Sequence, residues 1–193
     1  SGSDPVGELS PADAYQRAAA LFGETIASLD DEQWELPARG DDFTVETVVA
    51  WVVVGDAQII GAIDDGRVGG VGNFDTSVLG PNKVATWRGT AVGAIRALSE
   101  PGAVERHVRH PEGDLAVATL VGLRVSENLV RAWDIGQAVG GSVEIPDDLA
   151  EWCLDFWAGH TDVVTAGGIL PDAPRQPAAD AGPAERLLAL TGR

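Results

Sequence analysis

Cysteine and lysine are almost absent from this chain of 193 residues, and basic residues are scarce. The single cysteine, Cys153, excludes an internal disulfide and a cysteine-based zinc cluster, and it fits a reducing compartment. The chain has 13 basic and 30 acidic residues, so its formal net charge is −17. Such a charge repels phosphate backbones and anionic lipid, so we expect no nucleic acid among its partners.

Long hydrophobic runs are also missing, although hydrophobic residues make up 45% of the chain. A membrane span needs about 20 apolar residues in succession. The nearest run, residues 48–63, is interrupted by Gly55, Asp56 and Gln58. No secretory segment opens the chain, so we predict a cytoplasmic protein without a membrane partner. The length predicts a single domain over residues 1–193.

Helix-start signals and hydrophobic spacing predict long helices in the first half of the chain. Ser10 is a capping residue followed by a proline, which predicts a first helix over 11–29. Thr44 caps a second helix whose apolar residues recur at helical spacing, although its valines permit a strand locally over 48–54. The next predicted segments are a glycine-rich loop over 64–82 and a third helix over 83–99.

The second half of the chain predicts a short hairpin and further helices. In a strand, Val104 and Val108 would lie on the same side as Arg106 and His110, and the segment 111–114 is typical of a turn. Helices are predicted over 118–139, from Pro146 onward and over 183–190. Together these elements predict a mainly all-α fold. It is an antiparallel, up-down-up-down four-helix bundle over about 10–140, with a small β-hairpin insertion and a fifth helix and tail over about 146–193.

Three segments resemble one known family. Phe43–Trp51 resembles the helix start that carries a metal histidine in the DinB-like superfamily of mycothiol-dependent maleylpyruvate isomerases. Glu127–Asp134 resembles that family's Glu-x-x-x-His pair, and Glu185–Arg193 resembles the tail of uncharacterised actinobacterial members. The resemblance implies the DinB-like bundle fold. It also implies isomerase or S-transferase chemistry in which a divalent metal activates the sulfur of mycothiol.

Carried over residue by residue, the family's metal triad falls on Trp51, Glu127 and Arg131. Only Glu127 is a possible ligand, because a guanidinium and an indole offer a metal no lone pair at neutral pH. One carboxylate alone does not hold zinc against water. We therefore predict a degenerate metal site, with no metal and no other cofactor. Nothing in the sequence supports the use of mycothiol.

The residues at these positions permit a ligand pocket instead. Glu127 and Arg131 are four apart, in the order that favours a helical ion pair, and Arg124 and Asp134 extend the same helix face. In one interpretation, Trp51 and Trp87 roof a pocket in which Arg124, Glu127 and Arg131 bind a small polar or anionic ligand. In the other, the stripe is an ordinary charged face, solvated or paired.

Other candidate sites have weaker support. His107 and His110 are three apart in the predicted hairpin and would face opposite sides of it, and His160 lies far along the chain. Cys153 lies in an apolar helix, where a thiol is usually an inert core residue. The chain has neither a nucleophile-elbow motif nor a phosphate-binding loop.

Three hypotheses about function remain. The first, which we favour, is a metal-independent DinB-like protein that binds a small polar or anionic ligand in the ancestral pocket. Such a protein is either a binding protein or an enzyme whose catalytic residues are not recognisable. The second is a mycothiol-dependent isomerase or S-transferase. The third is a non-catalytic structural or regulatory bundle that forms a homodimer through its helix faces.

Overall fold

The computed structural model describes residues 8–39, 43–69, 72–110, 113–160 and 174–193. Within these ranges the fold is mainly α-helical with one antiparallel hairpin, which confirms the predicted fold class. The elements in chain order are α1 (Pro11–Ala27), α2 (Val45–Asp65), α3 (Lys83–Leu98), β1 (His107–His110), β2 (Gly113–Ala116), α4 (Val117–Ala138), α5 (Asp147–Gly159) and α6 (Pro183–Leu190).

Side-chain caps begin three of the bundle helices. The Asp13 backbone N–H donates to the Ser10 hydroxyl at 3.1 Å, and that of Thr47 donates to the Thr44 hydroxyl at 3.2 Å. Asn82 caps α3 in the same way through Ala85. A cap of this kind stabilises a helix by about 1 kcal/mol. The predicted helix starts are therefore observed.

The valine-rich segment of α2 is helical, so the local strand alternative is wrong. Val48, Val49 and Val52 are fully buried in the core of the bundle. Because tertiary packing routinely overrides the weak helix propensity of valine, burial decides the conformation here. α2 is also long and apolar enough to cross a bilayer by length and composition alone, but more than half of its apolar window is buried in the bundle.

The helix order differs from the predicted up-down-up-down arrangement because α2 and α3 run parallel. Their starts are joined by an ion pair between Glu46 and Lys83 at 3.5 Å. Beyond the end of α3, Arg106 Nη1 donates to the Ile63 carbonyl near the end of α2 at 3.3 Å. α1 is antiparallel to α3, since Phe22 near its end contacts Trp87 near the start of α3.

The remaining contacts complete an up-down-down-up bundle. α2 packs on both α3 and α4, and α1 packs on the same two helices, so α1 and α2 lie diagonally across the bundle. The parallel pair requires residues 66–82 to return along the bundle before α3 begins. A connection of this length can span the roughly 25–30 Å of a bundle helix. Glycine-rich composition predicted a loop here but carried no information about its direction.

The hairpin and the last two helices pack outside the four-helix core. β1 and β2 pair with Val108 opposite Leu115, and part of the predicted turn, residues 111–112, lies outside the described ranges. α5 packs on α4, where the Trp157 indole N–H donates to the Ser126 hydroxyl at 3.0 Å. α6 packs on α5 and leads the chain back to the end of α4.

Candidate functional site

The three positions that the resemblance assigned to a metal triad meet in the structure. Arg131 Nε donates to a Glu127 carboxylate oxygen at 3.1 Å on the preceding turn of α4. Its guanidinium carbon lies 5.2 Å from the centroid of the Trp51 ring on α2. A cation over an indole face is attracted by the ring quadrupole, so Trp51 and Glu127 together orient the guanidinium.

Asp134 and Arg193 extend this contact, and the sequence analysis did not identify Arg193. Arg131 Nη1 donates to Asp134 at 3.3 Å. Arg193, which follows α6, donates to both oxygens of the same carboxylate, at 2.9 Å and 2.6 Å. The Arg193 side chain is 2% exposed. The resemblance of Glu185–Arg193 to other members of the family indicated that this segment matters. No local pattern indicated that Arg193 would pair with Asp134.

Arg124 does not line this site, contrary to expectation. Its side chain turns into the bundle, where Nε donates to an Asp56 carboxylate oxygen at 2.8 Å. The Tyr15 hydroxyl donates to the other oxygen at 2.9 Å, and the Asn128 amide donates to both. Burial raises the pKa of Asp56, and the guanidinium and the hydrogen bonds counteract part of that effect. The sequence signal for this network was the one charged residue inside the apolar α2 run.

Gly55 explains how a guanidinium fits between α2 and α4. A Cβ atom at Gly55 would lie 2.3 Å from Arg124 Cζ, well inside van der Waals contact. The guanidinium therefore lies directly against the backbone of α2, which only glycine permits. Gly55 interrupts the hydrophobic run, and it thus makes room for Arg124, the partner of its neighbour Asp56.

Trp87 also lies away from the predicted pocket. It packs between α1 and α3, with its ring centroid 6.1 Å from that of Phe22. A Cβ atom at Gly23 would fall 2.3 Å from the Trp87 ring, so the indole fills the space over that glycine. The aromatic neighbour of Trp51 is instead Phe43, at a centroid separation of 4.6 Å.

Two further arginines lie in the same region as the Arg131–Asp134 contact. Partial loss of solvent is the largest cause that lowers the pKa of Arg39; the charges of Arg193, Arg131 and Arg175 lower it further, and Asp134 raises it. The Arg175 backbone N–H donates to the Ala189 carbonyl of α6 at 2.8 Å. We call Arg39, Arg131, Arg175 and Arg193 the arginine cluster.

The arginine cluster is locally positive in a strongly acidic chain. Within the described ranges, four guanidiniums stand against the two carboxylates of Glu127 and Asp134, in a chain whose net charge is −17. No carboxylate of the described residues forms an ion pair with Arg39 or Arg175.

The chemistry of this site does not fit the family's metal. The only potential ligand of the triad, Glu127, is already bound by Arg131, and the other two positions are an indole and a guanidinium. Among the residues described, no three histidine, cysteine, aspartate or glutamate side chains group as metal ligands would.

The other candidate groups are placed as ordinary structural residues. His107 begins β1, whereas the ring of His160 stacks on Phe156 of α5 with centroids 4.3 Å apart. Cys153 is fully buried, and burial raises the pKa of its thiol to about 12. A thiol with such a pKa is protonated at neutral pH and is a poor nucleophile.

Comparisons with known proteins agree with this architecture. No family model matches the chain. Two uncharacterized proteins of Mycobacterium tuberculosis, from two strains, are each 26% identical over 191 residues, covering 96% of this chain and 98% of each relative.

Similar solved structures are crystal structures of the mycothiol-dependent maleylpyruvate isomerase and of a histidine-to-alanine mutant of it. Each has a TM-score of 0.56 and 13% sequence identity, and the match covers 73% of this chain. The matched region spans only 65% of the isomerase chain. The likeness concerns the fold, and it confirms the resemblance at that level. This chain has the DinB-like helical-bundle fold of the mycothiol-dependent maleylpyruvate isomerases.

Proposed function

We propose that this protein binds a small anionic ligand at the arginine cluster, without a metal ion. The observation that carries the proposal is that, among the residues the structure describes at this end of the bundle, four guanidiniums stand against two carboxylates, in a chain that is strongly acidic as a whole. Charged groups concentrated in one place raise the local concentration of oppositely charged small molecules.

Arg131 has the geometry of a pre-oriented anion clamp. Glu127 and Asp134 engage its Nε and Nη1, and Trp51 lies against its guanidinium. Nη2 makes no hydrogen bond to any described residue. A guanidinium that is already held in place loses little entropy on binding, so its free donor can bind a carboxylate or phosphate oxygen efficiently.

Arg39 supplies the second positive group of the proposed site. Its φ of 64° places it in the left-handed region, and it is the one non-glycine residue of the described ranges to do so. Such a conformation costs about 1–2 kcal/mol for a residue with a Cβ atom, and strained residues cluster at functional sites. The strain supports a role for Arg39 beyond that of a solvated surface arginine.

Isothermal titration of the full chain with inorganic phosphate and acetate tests this function. Arg39→Gln should weaken binding about tenfold or more, because a hydrogen bond to a charged group contributes roughly 1.5–3 kcal/mol. Arg39 is exposed, so the variant should keep the fold. Arg88→Gln, on the exposed face of α3, is the matched control and should bind as the wild type does. Equal affinities for both variants would contradict the proposal.

The shared fold favours a second candidate, a thiol-dependent isomerase or S-transferase. In that case the arginine cluster would have to stabilise the thiolate, because Trp51 and Arg131 supply no metal ligand. Turnover of maleylpyruvate that depends on a small thiol and is lost in Arg131→Gln would support it. If no turnover occurred with saturating thiol, anion binding would remain the only function proposed.

A further inference from the structure

An exposed aromatic side chain lies at the edge of the proposed site. Phe43 is 36% exposed and is one of three large hydrophobic side chains that the described part of the structure leaves open to solvent. Its ring meets the Trp51 ring edge to face at a centroid separation of 4.6 Å. Trp51 in turn contacts Arg131. An apolar surface and a guanidinium are therefore continuous here.

The path of the chain also brings Phe43 beside Arg39. The Ala38 backbone N–H donates to the Phe43 carbonyl at 2.8 Å, and the Val45 N–H donates to the Leu36 carbonyl at 2.9 Å. These bonds pair the two segments in antiparallel fashion just before α2. Arg39 follows Ala38 directly in the chain, so the backbone of a charged residue lies next to the pairing that holds Phe43.

On the basis of the anion-binding function proposed above, we propose that the ligand is a carboxylate that carries a planar apolar group. The guanidiniums of Arg131 and Arg39 bind the carboxylate, and the rings of Phe43 and Trp51 contact the planar group. An inorganic anion would use only the charged half of this surface. An aromatic carboxylate uses both halves, because aromatic rings favour offset or edge-to-face contact with one another.

The experiment compares three small probes in isothermal titrations of the full chain. Benzoate has both the charge and the ring, acetate has only the charge, and benzyl alcohol has only the ring. We expect benzoate to bind about tenfold more tightly than either of the others, because only benzoate uses both the guanidiniums and the aromatic rings of this surface.

Phe43→Ala assigns the contact to this surface. It should remove most of the difference between the affinities for benzoate and acetate, because only Trp51 remains to contact the ring, and it should leave acetate binding unchanged. Val92→Ala, which truncates another exposed hydrophobic residue on α3, is the control and should change neither affinity.

The outcomes separate the two proposals. Equal affinity for benzoate and acetate would overturn the aromatic assignment and leave the anion-binding function standing. Benzyl alcohol binding as tightly as benzoate would overturn the role of charge, and binding by none of the probes would overturn both proposals. Tight benzoate binding that survives Phe43→Ala would remove this surface as the binding site for the ring.

Discussion

Arg193 binds both carboxylate oxygens of Asp134 from a position 59 residues further along the chain. The two side chains are 2% and 1% exposed, so the pair is almost completely removed from water. Because Asp134 lies near the end of α4, this pair fastens the segment after α6 to the bundle. It also completes the line of charges that begins with Glu127 and Arg131.

Removal of one partner of this pair should be costly. Arg193→Gln should lower the free energy of unfolding by about 3 kcal/mol, because it leaves a buried carboxylate with only the longer contact to Arg131. Urea denaturation followed by circular dichroism measures the change. Arg186→Gln, at an exposed position of α6, should stay within about 0.5 kcal/mol of the wild type. Equal effects of the two substitutions would show that the Arg193–Asp134 pair contributes nothing of its own.

The close approach of Arg124 to α2 should make Gly55 intolerant of a side chain. Gly55→Ala would put a methyl group 2.3 Å from Arg124 Cζ and should destabilise the protein by about 2–3 kcal/mol. Gly89→Ala provides the matched control, because nothing lies within 4 Å of a Cβ atom there. That variant should be neutral or more stable by about 0.5–1 kcal/mol. A thermal melt of Gly55→Ala that coincides with the wild type would contradict the packing described.

The buried thiol of Cys153 should make stability fall at high pH. Its pKa is about 12 in the folded protein, above the usual value of 9.0 for a cysteine thiol, so the unfolded state loses the thiol proton first as pH rises. Stability is therefore fully retained below about pH 9 and lost progressively toward pH 12, by about 1.4 kcal/mol per pH unit. Denaturation series between about pH 8 and pH 11 should show that the free energy of unfolding changes less with pH in Cys153→Ala than in the wild type. Parallel pH profiles would refute the assignment.

Restoring imidazoles should create a metal site if the three triad positions truly face one another. The double variant Trp51→His/Arg131→His would place two imidazoles beside Glu127, a donor set that suits zinc. Titration with zinc should give one equivalent bound in this variant and none in the wild type. Adding Glu127→Gln should weaken the binding. Stoichiometric zinc in wild-type protein purified without chelator would overturn the view that the metal site is degenerate.

Local sequence signals determined the helices and part of the site. Ser10 and Thr44 are side-chain caps that act within three residues of themselves, so the helix starts follow from the sequence alone. The Glu127–Arg131 pair was predictable for the same reason, because four residues of helix bring the two side chains together. Even the contact with Trp51 was anticipated, but only through the resemblance to a family of known architecture.

Only the tertiary structure decided the directions of the helices and the partners of the buried charges. A loop composition does not show where the loop leads, so the parallel arrangement of α2 and α3 emerges only from contacts such as Glu46 with Lys83. Arg124 could satisfy its charge at Glu127 or at Asp56, and burial against the facing helix selected Asp56. Arg193 reaches Asp134 across 59 residues. Such pairings depend on which segments the whole fold brings together, and no local sequence pattern specifies a partner so far along the chain.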